Sequence, residues 1–170
     1  EIKKMNLKNI FSINSNEISN LIDTNSLIEN YEVKKKYPST IYIKIQKTNF
    51  YAKININDET FLVGSNGKLS PIHFQNNDLP FIFGKPNIKE FLYFKNIIDQ
   101  SKFSYDQIEN LYFYPSKRWD LKLKNNILLK LPEKLTIEYI DDLYQFLERD
   151  NNEKFTIVDA RLKNQIILNE

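Results

Sequence analysis

The sequence predicts an α+β protein of two units. A small mixed sheet covered by helices occupies residues 1–80, and a second mixed, mainly antiparallel sheet with helices occupies residues 81–170 and ends on an open edge strand. Three observations predict this. The first third switches from helical spacing to alternation of apolar and polar residues. Leu79-Pro80-Phe81-Ile82-Phe83-Gly84-Lys85-Pro86 brackets an apolar plug between prolines and a glycine, as a joint between units would. Beyond it, amphipathic helices alternate with short strand pairs joined by Asn- and Lys-containing turns.

The first unit reads in the order strand, helix, helix, strand, strand. Ile10–Ile13 is a short apolar opening strand. Asn14-Ser15-Asn16-Glu17 resembles a helix N-cap with a carboxylate in the first turn, and Ile18, Leu21 and Ile22 keep helical spacing. A second short helix is predicted from Thr24-Asn25 through Leu27 and Ile28. Period two then takes over: Tyr31, Val33 and Lys35 alternate with polar neighbours, Tyr37-Pro38-Ser39 turns the chain, and Ile41, Ile43 and Ile45 line one strand face. Thr60–Val63 is the last strand of this unit, closed by the turn Ser65-Asn66-Gly67.

In the second unit Ile88–Ile98 carries apolar residues at 88, 91, 92, 94 and 98, the stripe of an amphipathic helix. Strands are predicted at Ile108–Tyr114, Trp119–Leu123 and Ile127–Leu131, the last two joined through Lys124-Asn125-Asn126 as a hairpin. Leu135–Leu147 is a second helix, with Ile140, Leu143, Tyr144 and Leu147 on one side. Phe155–Arg161 and Gln165–Leu168 close the chain as strands around a turn at Lys163-Asn164.

The composition excludes several function classes. Forty-one per cent of the 170 residues are hydrophobic and spread along the length, which supplies a core and argues against disorder. The net charge of +2 divides into ten lysines against eight acids up to Gly84, then fourteen basic against fourteen acidic residues, so neither unit has the field that nucleic acid requires. Lys34-Lys35-Lys36 reads as a solvated face. Without cysteine there are no disulfides, thiolate metal sites or thiol nucleophiles. His73 is the one histidine, too few for a metal cluster or a catalytic triad. Asp141 and Asp142 point about 100° apart on a helix and do not converge; with Glu138 they read as a solvated face. The three glycines form no phosphate-cradling loop. No catalytic residue, metal site or cofactor is expected. No apolar run reaches the roughly 20 residues that span a bilayer, and because the chain starts at Glu1 rather than Met, an upstream segment is expected.

Asp159 and Arg161 lie two apart on one strand face and are expected to pair side by side, either as a structural ion pair or with Arg161 held for a partner's carboxylate.

Taken in order, several motifs resemble the FtsQ/DivIB cell-division family. Ile10-Phe11-Ser12-Ile13-Asn14 before a helix is similar to the start of that family's POTRA domain. Tyr31-Glu32-Val33-Lys34-Lys35-Lys36-Tyr37-Pro38 resembles its basic, aromatic-Pro stretch, and Phe50-Tyr51-Ala52 stands at its Pro-x-Ala, with Phe50 in place of the proline. Phe61–Gly67 resembles its strand and Gly turn, and Leu79–Gly84 its Leu-Pro-x-x-x-Gly joint. Ser116-Lys117-Arg118-Trp119-Asp120-Leu121-Lys122-Leu123 resembles its basic then Trp-x-Leu-x-Leu strand; Phe155–Arg161 resembles its closing Val-Asp-Leu-Arg strand, with Ala160 at the leucine.

The resemblance implies a non-enzymatic divisome scaffold: a POTRA domain, then a β domain, on the periplasmic side of the inner membrane at the division septum, tethered by one upstream transmembrane helix. It further implies that the POTRA domain serves recruitment by other division proteins. The β domain would bind the FtsB–FtsL pair by accepting a strand of FtsB at its last edge. The implied partner-binding residues are Arg161, Leu162, Lys163, Asn164, Gln165, Ile166, Ile167 and Leu168, with Lys117 and Arg118 beside them. Leu162 stands where the family commonly has an aromatic, and Asn164 and Gln165 where it has small residues, so no stacking anchor is expected there. The alternative is a POTRA-bearing component of outer-membrane protein assembly or transport, which also works by strand addition but carries repeated POTRA units or leads into membrane strands.

Overall fold

The computed structural model describes residues 19–20, 22–72, 78–149, 155–162 and 165–169. The opening strand at 10–13, the start of the first helix and His73 lie outside the described residues.

Strands β1 (Ile28–Lys36) and β2 (Thr40–Lys47) form the predicted antiparallel hairpin around Tyr37-Pro38-Ser39. Alternation gives the hairpin two unlike faces. Tyr31, Val33, Ile41 and Ile43 pack on the buried Ile22, while the opposite side chains face water. The second short helix does not form. Residues 24–27 are a turn in which the Asn25 side-chain carbonyl accepts from the Leu27 amide at 2.9 Å, and Ile28 already begins β1. Asn offers the backbone this local bond in place of a helical one.

The rest of the chain builds one nine-stranded sheet in the order β11-β10-β9-β8-β7-β6-β3-β4-β5. Its strands are β3 (Phe50–Ile56), β4 (Glu59–Gly64), β5 (Leu69–Pro71), β6 (Phe81–Phe83), β7 (Ile108–Phe113), β8 (Trp119–Leu123), β9 (Leu128–Lys130), β10 (Ile157–Asp159) and β11 (Ile167–Asn169). Helices α1 (Ile88–Gln100) and α2 (Ile137–Arg149) fall close to the predicted spans. Asn87 and Glu90 set the start of α1 through a capping box.

Two expectations are corrected here. The strand at Thr60–Val63 pairs with β3 and β5 in the large sheet, not in a first-unit sheet with β1 and β2. The apolar plug is no joint: Phe81–Phe83 is an inner strand, parallel to both β3 and β7. The sheet therefore runs across the boundary expected at 80/81. Pairing is mixed, with parallel contacts at β3/β6, β6/β7 and β9/β10.

Register divides the sheet into faces. Val158, Leu129, Leu121, Leu111, Ile82 and Ile54 form one cross-strand row, each at most 3 % exposed, covered by Phe91, Phe94 and Ile98 of α1 and Ile140 and Leu143 of α2. Trp119 is stacked on Phe94 at 4.8 Å and packed against Phe113 at 4.7 Å. Among the described residues neither α1 nor α2 lies on the opposite face, where Leu62, Ser70 and Asp120 are nevertheless buried.

A polar joint ties the hairpin to the sheet. The Asn66 amide donates toward the carbonyls of Ser26 (3.1 Å) and Ile28 (3.0 Å) and the Thr48 hydroxyl (2.8 Å), and its oxygen accepts from the Lys68 amide. The Ser65 hydroxyl donates to Glu29 at 2.6 Å. Asn66→Ala should cost about 2–3 kcal/mol, because it leaves part-buried acceptors without donors. Urea unfolding measures the cost, and faster hydrogen exchange at Thr48, whose amide donates to Leu27, should accompany it.

Candidate functional site

The last strand supplies the most distinctive surface. β11 pairs antiparallel with β10 through Ile157/Asn169, Val158/Leu168 and Asp159/Ile167. Among the described residues no strand lies on its other side. Ile166 and Leu168 turn inward and pack on the core, while Gln165, Ile167 and Asn169 are exposed. Such an edge presents unpaired amides and carbonyls with alternate side chains ready for a further strand.

Asp159 and Arg161 pair as their spacing predicts. Arg161 donates from Nε to Asp159 Oδ1 at 2.8 Å and from Nη2 to Oδ2 at 2.5 Å, while its side chain stays 44 % exposed. The hydrogen bond from Arg161 is the main cause holding the Asp159 carboxyl below its ordinary range, against the opposing effect of burial. Arg161 is correspondingly held above its usual value, mainly by Asp159 and further by Asp120.

Register continues this pair into a row across the face opposite the helices: Ile167, Asp159, Lys130, Asp120, Tyr112 and Phe83. Asp120 is 1 % exposed and accepts from Arg118 Nε at 3.0 Å. Arg118 in turn lies 4.3 Å over the Tyr114 ring. Arg118 and Arg161 therefore share the field of Asp120 and Tyr114 at one end of the face, with Lys130 beside them. Three cations, Arg118, Lys130 and Arg161, thus stand around the two carboxylates of Asp120 and Asp159.

The structure does not gather every expected residue here. Lys117 pairs with Glu90 of α1 at 3.3 Å, on the helical side of the sheet. Leu162 is exposed next to Arg161, with its carbonyl accepting from the Gln165 amide. Lys163 and Asn164 lie outside the described residues. Two participants were not expected from the sequence, Asp120 and Tyr139. Arg118-Trp119-Asp120 repeats the two-residue spacing of Asp159 and Arg161, and that was the available signal for Asp120. Tyr139 of α2 donates its hydroxyl to the Ala160 carbonyl, and burial raises its pKa. With Asp142, Leu143, Gln165 and Ile166 it lines a cleft of about 360 Å³ behind β11.

Asp141 accepts from the Lys102 amide at 2.6 Å, which makes it a loop anchor and not simply a solvated side chain. Among the described residues no group of three potential metal ligands converges, and no helix is long and apolar enough to cross a membrane.

Residues 1–47 match the family model "POTRA domain, FtsQ-type", and residues 52–161 match "Cell division protein FtsQ/DivIB, C-terminal". The chain is 32 % identical over 165 residues to a protein of Rickettsia typhi named "Cell division protein FtsQ", covering 92 % of this chain and 60 % of that one. The protein of the same name from Rickettsia conorii is 28 % identical over 174 residues with the same coverage. That of Rhizobium meliloti is 23 % identical over 164 residues, covering 92 % of this chain and 52 % of that one. This chain thus spans about 60 % of the Rickettsia relatives. Among solved structures, the major extracytoplasmic domain of DivIB from Geobacillus stearothermophilus aligns at a TM-score of 0.42 and 12 % identity, over 63 % of this chain and 99 % of that one.

Proposed function

This chain belongs to the FtsQ/DivIB family of cell-division proteins, and from that premise we propose that it is a non-enzymatic docking module which takes up a partner strand on the outer edge of β11. The open edge of β11 is the observation that carries the reading. Main-chain bonds to an added strand supply affinity, and alternate side chains supply specificity. The partner is the FtsB–FtsL pair, with a strand of FtsB completing the sheet. A carboxylate of that strand sits at Arg161, supported by Arg118. Leu162 and Ile167 supply apolar contact, and no aromatic anchor is needed there. Lys117 plays no direct part. The two units divide between residues 47 and 52, so that β3 to β5 belong to the docking domain and the POTRA domain is left to contact other division proteins. The module lies on the extracytoplasmic side of the membrane and is tethered through an upstream segment. An outer-membrane assembly role is set aside, because the family match runs through the large sheet from β3 to β10.

Hydrogen exchange and titration with purified FtsB–FtsL test the reading. Addition of the pair should slow exchange at the outward amides of residues 165–169. Arg161→Glu should weaken binding by about tenfold or more, through loss of a charge-assisted contact and repulsion of the incoming carboxylate. Lys130, paired in register with Asp159, remains to offset part of the orphaned charge, so the chain should stay folded with a small drop in melting temperature. Ile167→Pro should weaken binding further by a different route: the Asn169 carbonyl accepts from Thr156 on the β10 side, and the Ile167 amide, two residues away, faces β10 as well, so its loss loosens β11 itself. Protection confined to β5 or to the hairpin, with β11 unchanged, would overturn strand addition at this edge.

A further inference from the structure

A second surface lies on the hairpin, far in sequence from β11 and independent of it. Residues 28–47 contain five lysines and two glutamates, a net +3, in a chain whose total is +2, so the remainder carries a net −1. Register concentrates the charge. Lys34 lies opposite Tyr42, Glu32 opposite Lys44 and Lys36 opposite Thr40, so Lys34, Lys36, Lys44 and Tyr42 share the face turned away from Ile22. All four are exposed, Tyr42 to 54 %, and Tyr37 at the tip is 60 % exposed. From Asn30 to Lys36 the face runs roughly 20 Å as an extended ribbon.

We propose that this face rests on an anionic phospholipid surface. Charge complementarity selects a negative partner, and the shape selects a planar one: lysine and tyrosine project from one side of a two-stranded ribbon. Lysine stems and tyrosine rings both suit a boundary where one end is apolar and the other wet. Glu32 acts as the counter-charge on this face. It accepts from Lys34 Nζ at 2.7 Å, and Lys34 is the main cause of its lowered pKa, with a smaller contribution from Lys44. On the membrane a lipid phosphate takes the place of Glu32 as the partner of Lys34.

The test is NMR of the labelled chain with vesicles carrying a nitroxide-headgroup lipid, made either of phosphatidylglycerol and phosphatidylcholine in equal parts or of phosphatidylcholine alone. Amide signals of residues 34–44 should lose most of their intensity on the phosphatidylglycerol vesicles at low salt, and recover at about 0.3 M salt through screening. The combined Lys34→Gln, Lys36→Gln and Lys44→Gln variant should partition about 100-fold more weakly, near fivefold per lysine. Glu32→Gln, at an exposed position, should bind about fivefold more tightly. This gain stands as an independent readout if the triple variant loses its hairpin signals. Equal broadening on phosphatidylcholine, or no gain with Glu32→Gln, overturns the proposal. Hairpin shifts with a polyglutamate peptide but none with phosphatidylglycerol vesicles would also overturn it, and would assign the face to an acidic protein segment.

Discussion

Gly84→Ala should lower the melting temperature by about 10 °C, at roughly 4 kcal/mol and 2–4 °C per kcal/mol for a chain of this size. Gly84 follows β6 at φ +99, and an added Cβ would stand 2.2 Å from the Phe113 carbonyl oxygen and 3.3 Å from the Phe113 Cβ. Both costs are present: a backbone conformation unfavourable to L-residues and a collision with main chain that cannot rotate away. Relief requires the end of β6 to move off β7, where Phe83 pairs with Tyr112, at the middle of the sheet. Gly67 is the control. It sits at φ +73, but its added Cβ would meet only Leu92 Cδ1 at 3.5 Å. Gly67→Ala should therefore cost only about 1 kcal/mol of backbone strain. Equal losses in the two variants by thermal and urea unfolding would contradict the steric account.

Lys95→Ala should cost about 3 kcal/mol, an unusual amount for a lysine. Lys95 is 7 % exposed on α1, with Nζ 4.4 Å from the Tyr51 ring centre and 4.3 Å from that of Tyr105. Asp99, one turn on, accepts from the same ammonium at 2.5 Å. Tyr105 closes the cage by donating its hydroxyl to the Tyr51 carbonyl at 2.9 Å, and burial raises its pKa so that the donor stays protonated. A desolvated cation between two rings contributes about 2 kcal/mol or more, and the buried stem adds packing. Lys95→Met separates the two contributions. It keeps the stem and gains sulfur–aromatic contact, so it should lose only about half as much. Asp99, half exposed, is left to water in both variants. If Met and Ala lose equally, the charge dominates; if Met loses nothing, packing alone holds the cage.

Local patterning carried most of the secondary structure. The alternation of Tyr31, Val33, Ile41 and Ile43 predicts β1 and β2, and the stripe of Phe91, Phe94 and Ile98 predicts the inward face of α1. The pairing of Asp159 with Arg161 follows from two-residue spacing on one strand, a relation wholly contained in the chain. β3 is absent from the sequence expectation although Ala52 and Ile54 alternate inward, because Lys53, Asn55 and Asn57 made the segment read as polar. The Thr24–Ile28 helix failed for the opposite reason: a side-chain bond from Asn25 displaced a weak helical preference.

By itself, then, the sequence determined the family, the kinds of elements and which strand face is apolar, since these depend on neighbours a few residues apart. Only the tertiary structure decided that Phe81–Phe83 is an inner strand, that β3 to β5 join the large sheet, and that Lys95 is enclosed by Tyr51 and Tyr105. It also decided that Arg118 turns toward Asp120, in the field that reaches Arg161, while Lys117 turns toward Glu90. The physical reason is common to all of these. A three-residue apolar strand or a lone lysine has no local property that names its partner, and the choice is made by long-range register, which sets which side chains share a face.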